Sequence, residues 1–333
     1  MRAPGYWFNP PERPGHLARS LAPLGWVYAQ ATARRVARAP AYQAGVPVIC
    51  VGNINAGGTG KTPTTIAIVQ RLQSRGLSPV VVTRGYGGSL RGPVRVNPES
   101  HDASQVGDEA LLHAAFAPTI VADDRIGGCK LAEAGPCDVI ILDDGHQDPA
   151  VRKSLSLVVV DAARGFGNGR VIPAGPLREP VGAGLARADA VVSIGPAPAQ
   201  RRFAPSLGTF DLPLLMAELK PLAMGLPWTG RRVLAFAGIG HPEKFFAMLR
   251  ADGAEVIRAE ALSDHQPLTD ALMTRLSLEA RASVAQLVTT EKDFVRLPAG
   301  FRSQVLSVPV RLEFDDPSAL DTLLDRLGLI AKP

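Results

Sequence analysis

The stretch VICVGNINAGGTGKTP, residues 48–63, constrains this chain more than any other segment. Gly57, Gly58 and Gly60 let successive backbone N–H groups turn toward one centre, and Pro63 falls in the first turn of a helix, where its missing N–H costs nothing. An apolar run precedes the glycines, so the order is buried strand, glycine-rich turn, helix. That is the setting in which such a loop cradles phosphate at a helix N-terminus. The usual pattern, G-x-x-x-x-G-K-[ST], asks for glycine where this chain has Asn55. Asparagine is acceptable if the chain needs no positive φ there, and it tolerates that region better than most residues. The candidate nucleotide contacts are Asn55, Ala56, Gly57, Gly58, Thr59, Gly60, Lys61 and Thr62, with Lys61 bridging the outer phosphates and Thr62 holding magnesium. The plain alternative, a glycine-rich turn with no ligand, leaves the lysine and threonine unexplained.

From residue 46 onward, short apolar runs alternate with helical patterns, as a parallel sheet covered on both faces requires. Strands are predicted at 46–51, 79–83, 119–122, 139–143, 155–160 and 190–194, with helices at 64–75 and 108–115. A Pro-rich patch at 195–214 interrupts the pattern. A second unit then begins with RRVLAFAG at 231, followed by a helix at 242–251, strands at 286–290 and 306–314, and a helix at 318–327. Its Gly238-Ile239-Gly240 turn lacks the third glycine of a dinucleotide fingerprint and reads as a tight strand-to-helix turn. The expected fold is therefore α/β: a doubly wound, mostly parallel phosphate-loop sheet with a second, smaller α/β domain closing over it. The ranges are 1–40 for a basic N-terminal segment, 41–210 for the nucleotide core, 211–230 for a linker and 231–333 for the second domain.

Charge and cysteine usage narrow the function classes. The six arginines of residues 1–40, against one glutamate, account for the whole net charge of +5, so the basicity belongs to one end rather than to a nucleic-acid-binding face. Three scattered cysteines, with no C-x-x-C pair, support neither a disulfide framework nor a zinc knuckle. Residues 20–33 are uncharged but shorter than the roughly 20 residues that span a bilayer, and Pro23 breaks them. They read as neither a span nor a cleaved signal peptide. Leu21, Leu24, Trp26, Val27 and Tyr28 beside Arg19, Arg34, Arg35 and Arg38 instead suggest a helix lying on an anionic membrane surface, and the competing reading is a helix packed on the protein's own core.

A second chemical motif, ILDDGHQ (141–147), ends an apolar strand in two carboxylates. At the carboxyl end of a parallel strand, Asp143 and Asp144 face the nucleotide crevice, where either can hold magnesium directly or through water. Partitioning ATPases carry lysine where this chain has Ala56, and the N-K-x-D element of guanine-specific switches is not matched by TEKD (290–293). A kinase for a small or lipid acceptor remains.

In order, GNINAGGTGKTP, RGYGG (84–88), VGDE (106–109), ILDDGHQ, PLREP (176–180), AGIGHPEKFF (237–246), SDHQ (263–266) and TEKD resemble the tetraacyldisaccharide 4′-kinases of lipid A synthesis. That family also lacks the first loop glycine, so Asn55 is no departure from it. The resemblance implies transfer of the ATP γ-phosphate to the 4′-hydroxyl of an acylated glucosamine disaccharide 1-phosphate, with magnesium, at the cytoplasmic face of the inner membrane. By the same resemblance Asp108 is the general base, His265 the histidine that supports it, and Arg178 and Glu179 a phosphate- and magnesium-side pair. Arg125 is a further phosphate contact, and Tyr86 lies by the nucleotide or acceptor. The implied catalytic set is Asp108, His265 and Lys61, and the implied metal set Thr62, Asp143, Asp144 and Glu179. Taken alone, Asp108 reads as an acid at a helix N-terminus and His265 as a loop histidine. A membrane-associated ATPase switch and a kinase for a soluble sugar are the rival functions. A switch has no use for an acceptor base, and a soluble substrate leaves the basic apolar end unexplained.

Overall fold

A computed structural model describes residues 3–332, except 209, 223, 224, 226, 264 and 265. Thirteen strands form two sheets among the described residues: β1 (Val48–Gly52), β2 (Pro79–Thr83), β3 (Val94–Arg95), β4 (Thr119–Val121), β5 (Val139–Asp143), β6 (Leu155–Asp161), β7 (Ala190–Ile194), β8 (Leu214–Pro221), β9 (Arg232–Ala237), β10 (Glu255–Ala261), β11 (Gln286–Thr290), β12 (Val305–Val308) and β13 (Val310–Phe314). The larger sheet has nine strands in the order β13-β8-β7-β6-β1-β5-β2-β4-β3, and the smaller has four in the order β10-β9-β11-β12. The small sheet is parallel, and the large one is parallel except where β3 and β13 pair antiparallel at its two edges. The α/β reading with a second, smaller domain is the observed architecture.

The central strands are apolar along their whole length because helices cover both faces. On one side Ile49, Val51, Ile141 and Leu157 pack with Ile68, Val69 and Leu72 of the phosphate-loop helix (Lys61–Gln73). That helix ends as its sequence dictates: Gly76 takes φ 73° and Leu77 N–H donates back to the Leu72 carbonyl, the pattern of a glycine-terminated helix. Register puts Val51 of β1 opposite Asp143 of β5, so the loop leaving β1 begins beside the paired carboxylates.

Sheet membership redraws the expected ranges. β8 lies inside the segment read as a linker, and β13 with the C-terminal helix (Pro317–Asp325) returns from the second unit to the large sheet. The single strand expected at 306–314 is two strands, β12 in the small sheet and β13 in the large one, broken at Pro309, which has no N–H to give a ladder. The C-terminal helix packs Leu320, Leu323 and Leu324 into the core below the phosphate-loop helix.

The N-terminal helix (Ala22–Val36) has two faces. Gly25, Ala29 and Thr32 are buried, and a Cβ on Gly25 would stand 2.8 Å from the Val171 carbonyl oxygen. Leu24, Trp26, Val27 and Tyr28 are exposed, as are Arg34, Arg35 and Arg38. No helix among the described residues is long and apolar enough to cross a membrane.

Candidate active site

The phosphate loop is held by its neighbours before any ligand is considered. Asn53 donates through Nδ2 to Thr59 Oγ1 at 2.9 Å and to the Gly57 carbonyl at 3.3 Å. Asn55 is not among the residues with positive φ, and its Nδ2 donates to the Gly165 carbonyl at 3.0 Å. The missing glycine is thereby explained, since extended backbone at this point needs none and the side chain ties the loop to the turn after β6. Ala56 N–H donates to the Pro176 carbonyl at 2.6 Å and Arg178 N–H to the Ile54 carbonyl at 2.7 Å, so PLREP runs along the loop as a brace. Gly57 and Gly60 do require glycine, with φ of 110° and 98°.

Lys61 and Arg178 converge on one carboxylate. Asp144 Oδ1 lies 2.7 Å from Arg178 Nη1 and 3.7 Å from Lys61 Nζ. Burial would raise the Asp144 pKa, but Lys61 and Arg178 outweigh it and bring it down to about 2. The residue takes φ 52°, a region that aspartate enters more readily than most side chains, and this turns it out of the strand line toward the loop.

Asp143 points to the other side of β5. Its Oδ2 accepts from Thr83 Oγ1 at 3.2 Å and meets His113 Nε2 at 3.4 Å, while Oδ1 is buried with no hydrogen-bond partner in the protein. Burial pushes its pKa up, and the hydrogen bond and charge of His113, with Lys61, pull it below the ordinary value. An unpartnered buried carboxylate oxygen beside the Thr62 loop suits a hard cation that keeps water and phosphate oxygens in its shell. No cluster of three or more His, Cys, Asp or Glu side chains with a metal-binding arrangement occurs among the described residues.

Two of the expected ligands have protein partners in the structure. Both Glu179 oxygens accept from Arg187, at 2.9 and 2.8 Å, and Oε1 also accepts from Gln147 at 2.9 Å. Gln147 itself donates to the Asn53 carbonyl, so Glu179 is tied through it to the start of the phosphate loop. Arg125 is 2 % exposed and gives its guanidinium to the carbonyls of Val82, Asp143 and Asp144. It clamps the end of β5.

Asp108 opens the helix Asp108–Ala114 after Gly107 and is 3 % exposed. Its Oδ1 accepts from Glu109 N–H at 2.9 Å, and its Oδ2 lies 3.6 Å from Arg296 Nε and 3.9 Å from Lys292 Nζ, both from the second domain. His113 of the same helix reaches Asp143, so one helix spans from the expected base to the paired carboxylates. Tyr86 is 76 % exposed on the RGYGG loop, whose backbone backs directly onto Gly107. His265 lies outside the described residues, although its neighbour Gln266 accepts from Arg296 Nη1 at 3.2 Å through its carbonyl.

A cavity of about 580 Å³ separates the two domains, with Asn55 to Thr59, Asp161 and Arg164 on one wall and Ile239 to Lys244 on the other. Lys244 Nζ meets Asp161 Oδ2 at 2.7 Å, and Arg164 Nη2 meets His241 Nδ1 at 3.1 Å. Asn53, His113, Gln147, Arg187, Lys292 and Arg296 were not singled out from sequence. Asn53, Gln147 and Lys292 nevertheless lie inside motifs quoted from the sequence.

The family described as "LpxK: Tetraacyldisaccharide-1-P 4'-kinase" matches residues 17–328. A tetraacyldisaccharide 4′-kinase of Dinoroseobacter shibae is 60 % identical over 329 residues, covering 98 % of each chain. One from Rhodospirillum rubrum is 49 % identical over 331 residues, covering 99 % of this chain and 98 % of its own. Among solved structures, the "apo" form LpxK from Aquifex aeolicus in complex with ATP superimposes with a TM-score of 0.75 at 24 % identity, over 93 % of this chain and 99 % of that one, which establishes a shared fold.

Proposed function

The chain belongs to the tetraacyldisaccharide-1-phosphate 4′-kinase family, and from that premise we propose how its side chains divide the work of phosphoryl transfer. It is an ATP-dependent phosphotransferase with an alcohol acceptor, acting in lipid A biosynthesis on the 4′-hydroxyl of the tetraacyldisaccharide 1-phosphate. The observation that carries the division of labour is the convergence of Lys61 and Arg178 on Asp144 at the mouth of the phosphate loop.

The loop from Ala56 to Thr62 binds the ATP phosphates through backbone N–H groups, and Lys61 follows the charge on the transferred group. Arg178 fixes Asp144 and supplies a second cation on the same side. Thr62, Asp143 and Asp144 are the residues that would hold magnesium, which when bound neutralises charge on the phosphate oxygens. Glu179 and Arg125 brace this group from behind. A sugar hydroxyl is a poor nucleophile, so a carboxylate must accept its proton as the new P–O bond forms, and Asp108 is that group. His265 supports it from the second domain, and Tyr86, exposed beside Gly107, lies on the acceptor side. The nucleotide core comprises everything on the nine-stranded sheet, including β8, β13 and the C-terminal helix, and the second domain is the four-stranded unit.

The outward face of the N-terminal helix gives the enzyme peripheral contact with an anionic bilayer, at the cytoplasmic face of the inner membrane where ATP is available. The direct test is incubation of the purified protein with labelled ATP and the acylated disaccharide 1-phosphate. Formation of a lipid with a second, 4′-linked phosphate is expected, and ATP hydrolysis with no labelled lipid would contradict the assignment.

A further inference from the structure

His113 has no part in the division of labour among Lys61, Arg178, Asp144 and Asp108, yet its ring is buried against Asp143. The helix Asp108–Ala114 fixes its backbone. The His113 carbonyl accepts from Phe116 N–H at 2.9 Å and from Ala117 N–H at 3.0 Å, which closes the last turn of that helix just before β4. A second neighbour comes from β2, which pairs with β5 so that Val82 stands opposite Leu142 and Thr83 falls beside Asp143. Thr83 Oγ1 donates to Asp143 Oδ2 at 3.2 Å, and His113 Nε2 meets the same oxygen at 3.4 Å. An ionised carboxylate only accepts, so the proton at the second contact belongs to Nε2. His113 Nδ1 has no hydrogen-bond partner among the described residues, leaving Asp143 as the polar partner of the ring.

Both donors fall on one oxygen. The other, Oδ1, is buried without a protein partner among the described residues, at the end of β5 where Val51 of β1 stands opposite and the chain leaves for the phosphate loop. Each contact is at the outer edge of hydrogen-bond range, so neither donor fixes the carboxylate alone, whereas turning the carboxylate would forfeit both at once. Carboxylates that hold a metal are as a rule themselves held by such partners, because an ion binds more weakly to a ligand that must first be ordered. We propose that His113, together with Thr83, is a positioning residue that holds Asp143 by Oδ2 and so keeps Oδ1 free for the magnesium ion that accompanies ATP. The inference rests on Asp143 being one of the residues that hold magnesium. It extends the metal site to two side chains on different elements, one on β2 and one on the helix that Asp108 opens, neither of them a ligand.

The test compares ADP affinity with and without Mn²⁺, a cation of the same oxygen chemistry, by calorimetry on full-length wild type, His113→Leu, His113→Gln and Asp143→Asn. In the wild type, Mn²⁺ is expected to tighten ADP binding. His113→Leu should weaken binding of the Mn²⁺ complex about tenfold, the lower end of what loss of a ligand's partner costs, and leave metal-free ADP within about twofold of wild type. His113→Gln, whose amide N–H can stand near the position of Nε2, should recover most of that loss, a recovery that a space-filling role does not predict. If His113→Leu gains as much from Mn²⁺ as the wild type does, the inference is overturned, whatever happens to melting temperature or turnover. An equal loss in His113→Gln and His113→Leu overturns it as well. Thr83→Val, which removes the other donor, decides in the same terms if His113→Leu does not fold. Should the wild type gain nothing from Mn²⁺, or Asp143→Asn gain as much as the wild type, Asp143 leaves the metal site and the inference goes with it. A diminished gain in Asp143→Asn beside an undiminished one in His113→Leu removes the inference alone.

Discussion

Among single residues, Asp144 is where local chemistry and site geometry meet most tightly. Its left-handed backbone turns the carboxylate to Lys61 and Arg178, and its low pKa keeps it charged throughout the physiological range. Lys61→Ala should abolish phosphoryl transfer with little change in melting temperature, because the side chain points at the loop mouth and not into the core. Near-normal turnover, or an unfolded variant, would contradict this. Asp144→Asn should move the magnesium titration of activity to higher concentration, since a neutral amide is a poor ligand for a hard cation, and Asp143→Asn should do the same. Superimposable titrations in both would take them out of the metal site. The loop and the paired carboxylates were legible in the sequence because each is a local motif at the end of an apolar strand. The fate of Glu179 was not, since Arg187 and Gln147 lie 8 and 32 residues from it and only the fold brings all three together. The setting of Arg125 was not legible for a related reason: only the fold shows it buried with its guanidinium on backbone carbonyls.

For whole elements, the C-terminal helix shows what sequence patterning leaves undecided. Its apolar face was readable, but not the sheet it would cover, because β13 finds its partner β8 some 90 residues away and nothing local encodes that pairing. Charge fixes the docking. Asp321 accepts from Arg71 Nε and Arg75 Nη2, each at 2.7 Å, and Asp325 accepts from Arg75 Nη1 at 2.7 Å. The hydrogen bond from Arg71 holds the Asp321 pKa below its ordinary value. A carboxylate with a depressed folded pKa contributes stability that is present above its unfolded pKa, near 3.8, and lost as pH falls through the folded value. Asp321→Asn should therefore destabilise the protein by about 1 kcal/mol at pH 7, a discounted value for a partly exposed pair. The gap from wild type should close below about pH 4 in thermal melts. A gap of constant size across that range would mean that packing, not charge, docks the helix. The N-terminal helix calls for a test that spares its buried face. Leu24→Glu with Val27→Glu changes only outward side chains, each 58 % exposed in the wild type. Binding to anionic vesicles is expected to fall with no loss of melting temperature, and the residual binding should remain salt-sensitive because Arg34, Arg35 and Arg38 are untouched. Equal sedimentation of the variant and the wild type would reject membrane contact through this face.

At the scale of the molecule, two sets of contacts among the described residues join the domains, and the first of them borders the cavity. One joins Asp161 and Arg164 to Lys244 and His241, and the other joins Asp108 and Glu109 to Lys292 and Arg296. The phosphate loop and the residues of the first set line the cavity, and on the proposed roles nucleotide binding and acceptor chemistry use different edges of one domain interface. This separation makes a sharp demand on Asp108. A base that takes the hydroxyl proton typically contributes 10²–10⁴-fold, about 3 to 5 kcal/mol of barrier, while the affinity for ATP is set by the loop from Gly57 to Thr62. The most direct measurement is kcat for lipid phosphorylation together with the ATP dissociation constant in Asp108→Ala. A fall in kcat of roughly 10²–10⁴-fold with ATP binding unchanged is the predicted result. Full lipid phosphorylation by that variant would contradict the account at its centre.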